Sequence, residues 1–173
     1  MDKLFVYFAG AARGEPGEAG IGIAVTDKDG NVVGEISRLI GRATSEVADY
    51  QALIEAARHA LQYEPESVIF FTDNQRLANY VNGVFETRAP NIKHLIEVAI
   101  GALNRFPSWR VNYVDRAANF RAPHLVEQAF HQTVRAQVTR ERLELVLLAR
   151  ASALSEEALQ RLVEYAERLQ EEV

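Results

Sequence analysis

The chain of 173 residues contains no cysteine. Disulfides and thiolate metal sites are therefore excluded, and the fold must be held by its core. No apolar stretch approaches the roughly 18 residues that span a bilayer, which excludes a transmembrane helix and leaves no membrane partner expected. The opening Met1-Asp2-Lys3-Leu4-Phe5 lacks the basic start and long apolar stretch of a secretory signal, so a cytoplasmic location is the expectation. A basic excess is missing too: 19 Lys and Arg stand against 24 Asp and Glu, for a net charge of −5. Proteins that hold nucleic acid by bulk phosphate attraction carry the opposite balance, so tight nonspecific binding is not expected. The glycine-rich segment 14–20 is not followed by Gly-Lys-Ser/Thr and so is no phosphate loop. His124 and His131 lack the further nearby ligands of a zinc site. What remains is an ordinary globular composition, 48% apolar and 25% charged.

The apolar run 4–8 reads as a buried strand, and segment 14–20 as a loop in which backbones pass closely. Ile21, Ile23 and Val25 alternate with small residues as a second strand. Lys28-Asp29-Gly30-Asn31 is a hairpin turn, because Gly and Asn tolerate positive φ, and 32–36 returns as a third strand. The period then changes. Val47, Tyr50, Ile54, Ala57 and Leu61 share one helical face, with Thr44 or Ser45 as N-cap and Glu46 in the first turn. Pro65 ends this segment. The apolar run 67–72 predicts a central strand. Asp73 follows it where another helix begins, and taken alone it reads as a helix cap. Ile92 to Leu103 is helical, and 109–114 alternates as a fifth strand with Trp109 and Tyr113 expected in the core. From Asn119 the pattern is helical, broken between Ser152 and Ser155. The expected fold is α/β: a five-stranded mixed sheet, three antiparallel strands then two alternating with helices, flanked by helices. A domain over 1–139 and a C-terminal helical extension over 140–173 are expected.

Four segments carry a resemblance. Tyr7-Phe8-Ala9-Gly10-Ala11 with Gly14-Glu15-Pro16-Gly17 is similar to a strand ending in D-G-[AS] followed by G-N-P-G. Residues 43–53, with Ser45-Glu46-Val47-Ala48-Asp49-Tyr50, are similar to N-x-A-E-Y-x-A-L. Phe71-Thr72-Asp73-Asn74-Gln75 matches a strand-end D-S-x motif, and residues 116–125 match R-E-x-N-x-x-A-D-x-L. In this order and on these elements, they make the chain resemble type 1 ribonuclease H from Leu4 to about Val138, as a degenerate member. The resemblance implies the ribonuclease H-like fold. In intact members it also implies four acidic residues that hold two divalent metals and cut the RNA strand of an RNA–DNA hybrid. Here the first Asp falls on Ala9, the Glu on Asp49, the second Asp is kept as Asp73, and the last Asp falls on Pro123. The Asn of G-N-P-G, which in the family helps hold nucleic acid, is Glu15, expected to face solvent.

Two divalent cations about 4 Å apart repel by on the order of 17 kcal/mol at an effective dielectric of about 20. Anionic ligands must offset that, and the family's first Asp bridges both ions, so Ala9 removes charge where it matters most. A catalytically inactive or severely impaired protein is expected, a nucleic-acid-binding or protein-interaction module that requires no cofactor. Asp49 and Asp73 are expected to hold at most one weakly bound Mg²⁺ or Mn²⁺. Asp115, ending the fifth strand, is the candidate for a rearranged ligand set, which would leave an active hybrid endonuclease. Pro123 suits the first turn of a helix, so the lost acid is structurally permitted. Arg13, Arg42, Arg76, Arg116 and Arg121 are the candidates for contact with an RNA–DNA hybrid or RNA. In the extension, Leu143, Val146, Leu147 and Leu154 form one apolar series, and Leu159, Leu162, Val163, Ala166 and Leu169 another, opposite a charged face. That stripe must be covered, either by packing back on its own domain or by joining two copies in a homodimer; the homodimer is the expectation, and it is the arrangement of a structural dimerisation protein if neither cleavage nor nucleic-acid binding holds.

Overall fold

Alternating apolar residues build β1 (Lys3–Gly14), whose Leu4, Val6 and Phe8 are fully buried in the computed structural model. The structure describes residues 2–171. β1 turns into β2 (Gly17–Asp27) and β3 (Val32–Ala43), each antiparallel to the strand before it. α1 (Ser45–Ala60) follows, then a short 3₁₀ turn at Leu61–Tyr63, β4 (Ser67–Thr72), α2 (Gln75–Val81), α3 (Pro90–Leu103), β5 (Trp109–Tyr113), α4 (Arg121–Ala151) and α5 (Glu156–Glu171). β4 lies parallel to β1 and β5 parallel to β4, giving the sheet order β3-β2-β1-β4-β5.

The main core lies on one sheet face, where Phe8, Ile21, Ile23 and Phe70 meet Tyr50, Leu53, Leu77 and Leu103 from the helices. Side chains alternate along a strand, so Ala9 points to the other face. There it joins Ala122, Val126 and Phe130 of α4 in a second, smaller cluster. Two glycines permit the approaches that shape the site. A Cβ on Gly10 would lie 2.2 Å from the Ala48 carbonyl carbon, and one on Gly22 2.1 Å from the Ala122 oxygen.

Four expectations are corrected here. Segment 14–20 is strand rather than loop: β1 and β2 pair down to Gly14 opposite Gly17, leaving Glu15 and Pro16 as the turn. A Cβ on Gly17 would meet the Arg13 oxygen at 2.1 Å, so the glycines serve a tight hairpin. The third strand continues through polar residues to Ala43, because pairing with β2 rather than hydrophobicity sustains it. The middle strand is β1; β4 lies one position out, with Ile69 and Phe71 half-buried and the Phe71 ring 4.9 Å from that of Tyr7. Tyr113 is 49% exposed at the end of β5, whereas Trp109 packs against the core and donates its Nε1 hydrogen to Asn104 Oδ1 at 3.1 Å.

The chain divides after His131 into two compact units. The first holds the sheet and the cores described above. In the second, Ser155 Oγ accepts from the Ala158 N–H at 3.3 Å at the start of α5, the N-cap that Ser-Glu-Glu predicts.

Candidate functional site

Three chain segments converge beside the middle strand: β1 at Ala9 and Gly10, just past the end of its pairing with β4, the N-terminal turns of α1, and the β4–α2 junction. Thr44 caps α1, its side chain accepting from the Val47 N–H at 3.2 Å. Because Gly10 has no side chain, α1 settles against β1, and the Gly10 N–H donates to Asp49 Oδ1 at 2.8 Å. The other oxygen of Asp49 accepts from Asn74 Nδ2 at 2.9 Å. Asn74 also caps α2, its Oδ1 accepting from the Leu77 N–H at 3.0 Å. The cap is therefore Asn74, not Asp73, because Asn74 is where the backbone is still extended before the helix begins. Asp73 Oδ1 instead accepts from Asn119 Nδ2 at 3.2 Å. Asn119 is fully buried and also donates to the Phe8 carbonyl at 3.1 Å, tying the segment before α4 to the middle of β1.

Ala9, Asp49, Asp73 and Pro123 all line one cleft of about 520 Å³, together with Asn74, Arg116, His124 and Glu127. Burial pushes the Asp49 carboxyl up to about 6; the hydrogen bonds from Asn74 and Gly10 oppose this, and the charge of Asp73 adds to it. The donor set does not fit a two-metal centre. Ala9 and Pro123 offer no side-chain ligand atom, so of the four acidic positions only Asp49 and Asp73 remain. Among the described residues no group of three or more His, Asp or Glu side chains is placed to hold a metal ion. Asp115 does not repair the set. It lies outside the cleft lining, and its Oδ1 accepts from the Ala118 N–H at 2.8 Å in a surface turn.

Glu15 is exposed but not idle. Its carboxylate accepts from the Ser45 N–H at 3.0 and 3.2 Å and from the Ser45 hydroxyl, and these bonds, the hydroxyl's first, hold its carboxyl below the usual range. Helix N-termini attract anions, and at α1 an internal carboxylate takes that place. Of the five candidate arginines, three are engaged. Arg13 lies over the Phe130 ring at 4.3 Å, Arg76 pairs with Glu46 at 3.1 Å, and Arg121 pairs with Glu35. Arg116 lines the cleft, and Arg42 is exposed. The tail residues are placed on α5, where Leu159 and Leu162 are half-buried and Val163, Ala166 and Leu169 exposed.

Asn74 and Asn119, which hold the two retained carboxylates, are not singled out by sequence reasoning. Each sits inside a quoted motif, one residue after Asp73 and four before Pro123, and that adjacency is the available signal.

Residues 7–129 match the family described as reverse transcriptase-like. Ribonuclease HI of the archaeon Halobacterium salinarum is 34% identical over 127 residues, which cover 73% of this chain and 64% of that protein. The chain thus spans a little under two thirds of this curated relative. The crystal structure of RNase H1 from the same archaeon superimposes with a TM-score of 0.73 at 33% identity, covering 75% of this chain and 98% of that one. LC11-RNase H1, isolated from compost by a metagenomic approach and solved in complex with an RNA/DNA hybrid, gives 0.71 at 30% identity over 76% of this chain and 99% of its own. Fold, strand order and matched residues agree: the chain belongs to the reverse transcriptase-like family of ribonuclease H-like proteins.

Proposed function

We propose that this chain is a ribonuclease H-like domain that has lost hybrid cleavage and works by binding. The observation that carries the reading is the state of the cleft. Two of its four acidic positions are Ala9 and Pro123, and the Asp49 carboxylate is held at both oxygens by Gly10 and Asn74. The side chains present do not fit a two-metal centre, so no cleavage step runs through a metal pair in this chain.

Nucleic acid is one proposed partner, by analogy with the related RNase H1 solved with an RNA/DNA hybrid. The net charge of −5, the pairing of Arg76 and Arg121 and the carboxylate at the α1 N-terminus all favour weak, salt-sensitive binding. The second proposed partner is another copy of the chain, joined through the C-terminal helices, whose apolar side chains are exposed. No helix of the described residues is long and apolar enough to cross a membrane. A cysteine-free composition suits a reducing compartment, and the cytoplasm is the proposed location.

Titration calorimetry with Mn²⁺ tests the metal reading. The unaltered protein is expected to give no saturable heat at micromolar to millimolar ion. Ala9→Asp combined with Asp49→Glu and Pro123→Asp is expected to create a binding isotherm, with a thermal melt to check folding. Stoichiometric binding of two ions by the unaltered chain contradicts the proposal.

A further inference from the structure

A second concavity, of about 370 Å³, lies between β3, α1 and α3 and shares no lining residue with the cleft. Its position follows from the register. Arg38 stands opposite Ile21 in the β2–β3 pairing, and Ile21 is buried in the main core, so Arg38 projects to the face that α1 covers. On α1, Gln51, Glu55 and Arg58 follow at steps of four and three and share one helical face. α3 closes the concavity with His94 and Leu95, and Ile54 and Leu95 supply apolar lining.

The polar lining is unbalanced in charge. Glu55 is the one acid among the described lining residues, and it faces two arginines. Its Oε2 lies 2.9 Å from Arg38 Nη2, and its Oε1 accepts from Arg58 Nη1 at 3.1 Å. Two guanidiniums thus converge on one carboxylate, and one positive charge is left uncompensated in a chain whose net charge is −5. Neither guanidinium has a second ion-pair partner among the described residues. The two arginine side chains are 53% and 59% exposed, so most of their N–H donors remain open. As ties between elements, exposed pairs of this kind contribute little. As two forks of donors already turned towards one oxyanion, they have the geometry that recognises phosphate.

We propose that this concavity binds a phosphate group carried on a small apolar body, with Arg38 and Arg58 as its clamp. Glu55 positions the two guanidiniums and competes with the ligand for them. Gln51 and His94 offer further donors, and Ile54 and Leu95 line the space for the apolar part. The volume of about 370 Å³ falls at the lower end of small-molecule sites. The site is independent of whatever occupies the cleft.

Inorganic phosphate and phenyl phosphate, titrated into the isotope-labelled full chain at constant ionic strength and followed by amide NMR, test this. The expected result is saturable shifts at Arg38, Gln51, Glu55, Arg58 and Leu95, with phenyl phosphate bound more tightly than inorganic phosphate. Arg38→Gln and Arg58→Gln should each weaken binding by about tenfold or more, the effect of losing a hydrogen bond between charged groups. Glu55→Gln should tighten it, because the internal competitor loses its charge, and a gain in affinity cannot come from a variant that fails to fold. No saturable shift with either probe, shifts confined to the cleft around Arg116, or a Glu55→Gln variant that binds no more tightly would each overturn the site. Equal affinity for the two probes would overturn the assignment of an apolar body.

Discussion

Asp49 occupies a position whose chemistry its neighbours have changed. Its pKa is raised to about 6 from 3.8, chiefly by burial, so the folded state binds this proton more tightly than the unfolded chain does. Protonation therefore stabilises the fold. The contribution is fully present below about 3.8 and is lost as pH rises through about 6, amounting to on the order of 2–3 kcal/mol. Denaturant unfolding at pH 7, 6 and 5 should show the unaltered protein gaining stability on acidification relative to Asp49→Asn; a difference between the two that is independent of pH would refute this. Asn74 is the second residue whose loss should be felt. Asn74→Ala removes both the α2 cap, typically about 1 kcal/mol, and a hydrogen bond to a charged group, about 1.5–3 kcal/mol. Asn74→Asp keeps the cap but sets a carboxylate against Asp49, so its loss of stability should be larger at pH 7 than at pH 5, read from the same melts. None of this is legible at Asp73-Asn74 from the sequence, where two adjacent residues both suit a cap. The choice depends on where the chain leaves extended geometry, and only the backbone decides that.

Elements are more legible than the bonds between them. The run 67–72 is β4 as expected, and the helical period from Val47 to Leu61 marks α1, because apolar spacing reports the covered face directly. Segment 14–20 reads as a loop in the sequence because glycine suits both a loop and a close strand pairing, and the Arg13 oxygen near Gly17 decides between them only in three dimensions. The same physics separates two other glycines. Gly22→Ala would drive a methyl to 2.1 Å from the Ala122 oxygen and force α4 away from β2, so a loss of roughly 1–3 kcal/mol or more is expected. Gly30→Ala meets nothing within 4 Å, but its φ of +84° is one that alanine disfavours, for about 1–2 kcal/mol. Thermal melts of the two variants should both fall, and amide exchange should tell them apart. Gly22→Ala should raise exchange in the first turns of α4 and Gly30→Ala should not; equal exchange in both would show that the α4–β2 contact is not what Gly22 serves.

At the scale of the molecule, the family is legible because four motifs fall in order on the right elements, and a chance match to all four is hard to arrange. The loss of two acidic positions is legible for the same reason. What covers the tail is not, because an apolar stripe states that a face must be buried and not by what. Binding should follow the charge balance: affinity for an RNA–DNA hybrid is expected to be weak and to fall steeply with salt, and Glu15→Gln, which removes the anion at the α1 N-terminus, should strengthen it. Unchanged affinity in that variant would assign Glu15 a purely structural role. Loss of cleavage is read most directly in a hybrid-cleavage assay with Mg²⁺ and with Mn²⁺, run beside Asp73→Asn. No product is expected from the unaltered protein above the level of that variant with either ion. Turnover that survives purification and disappears in Asp73→Asn would contradict it.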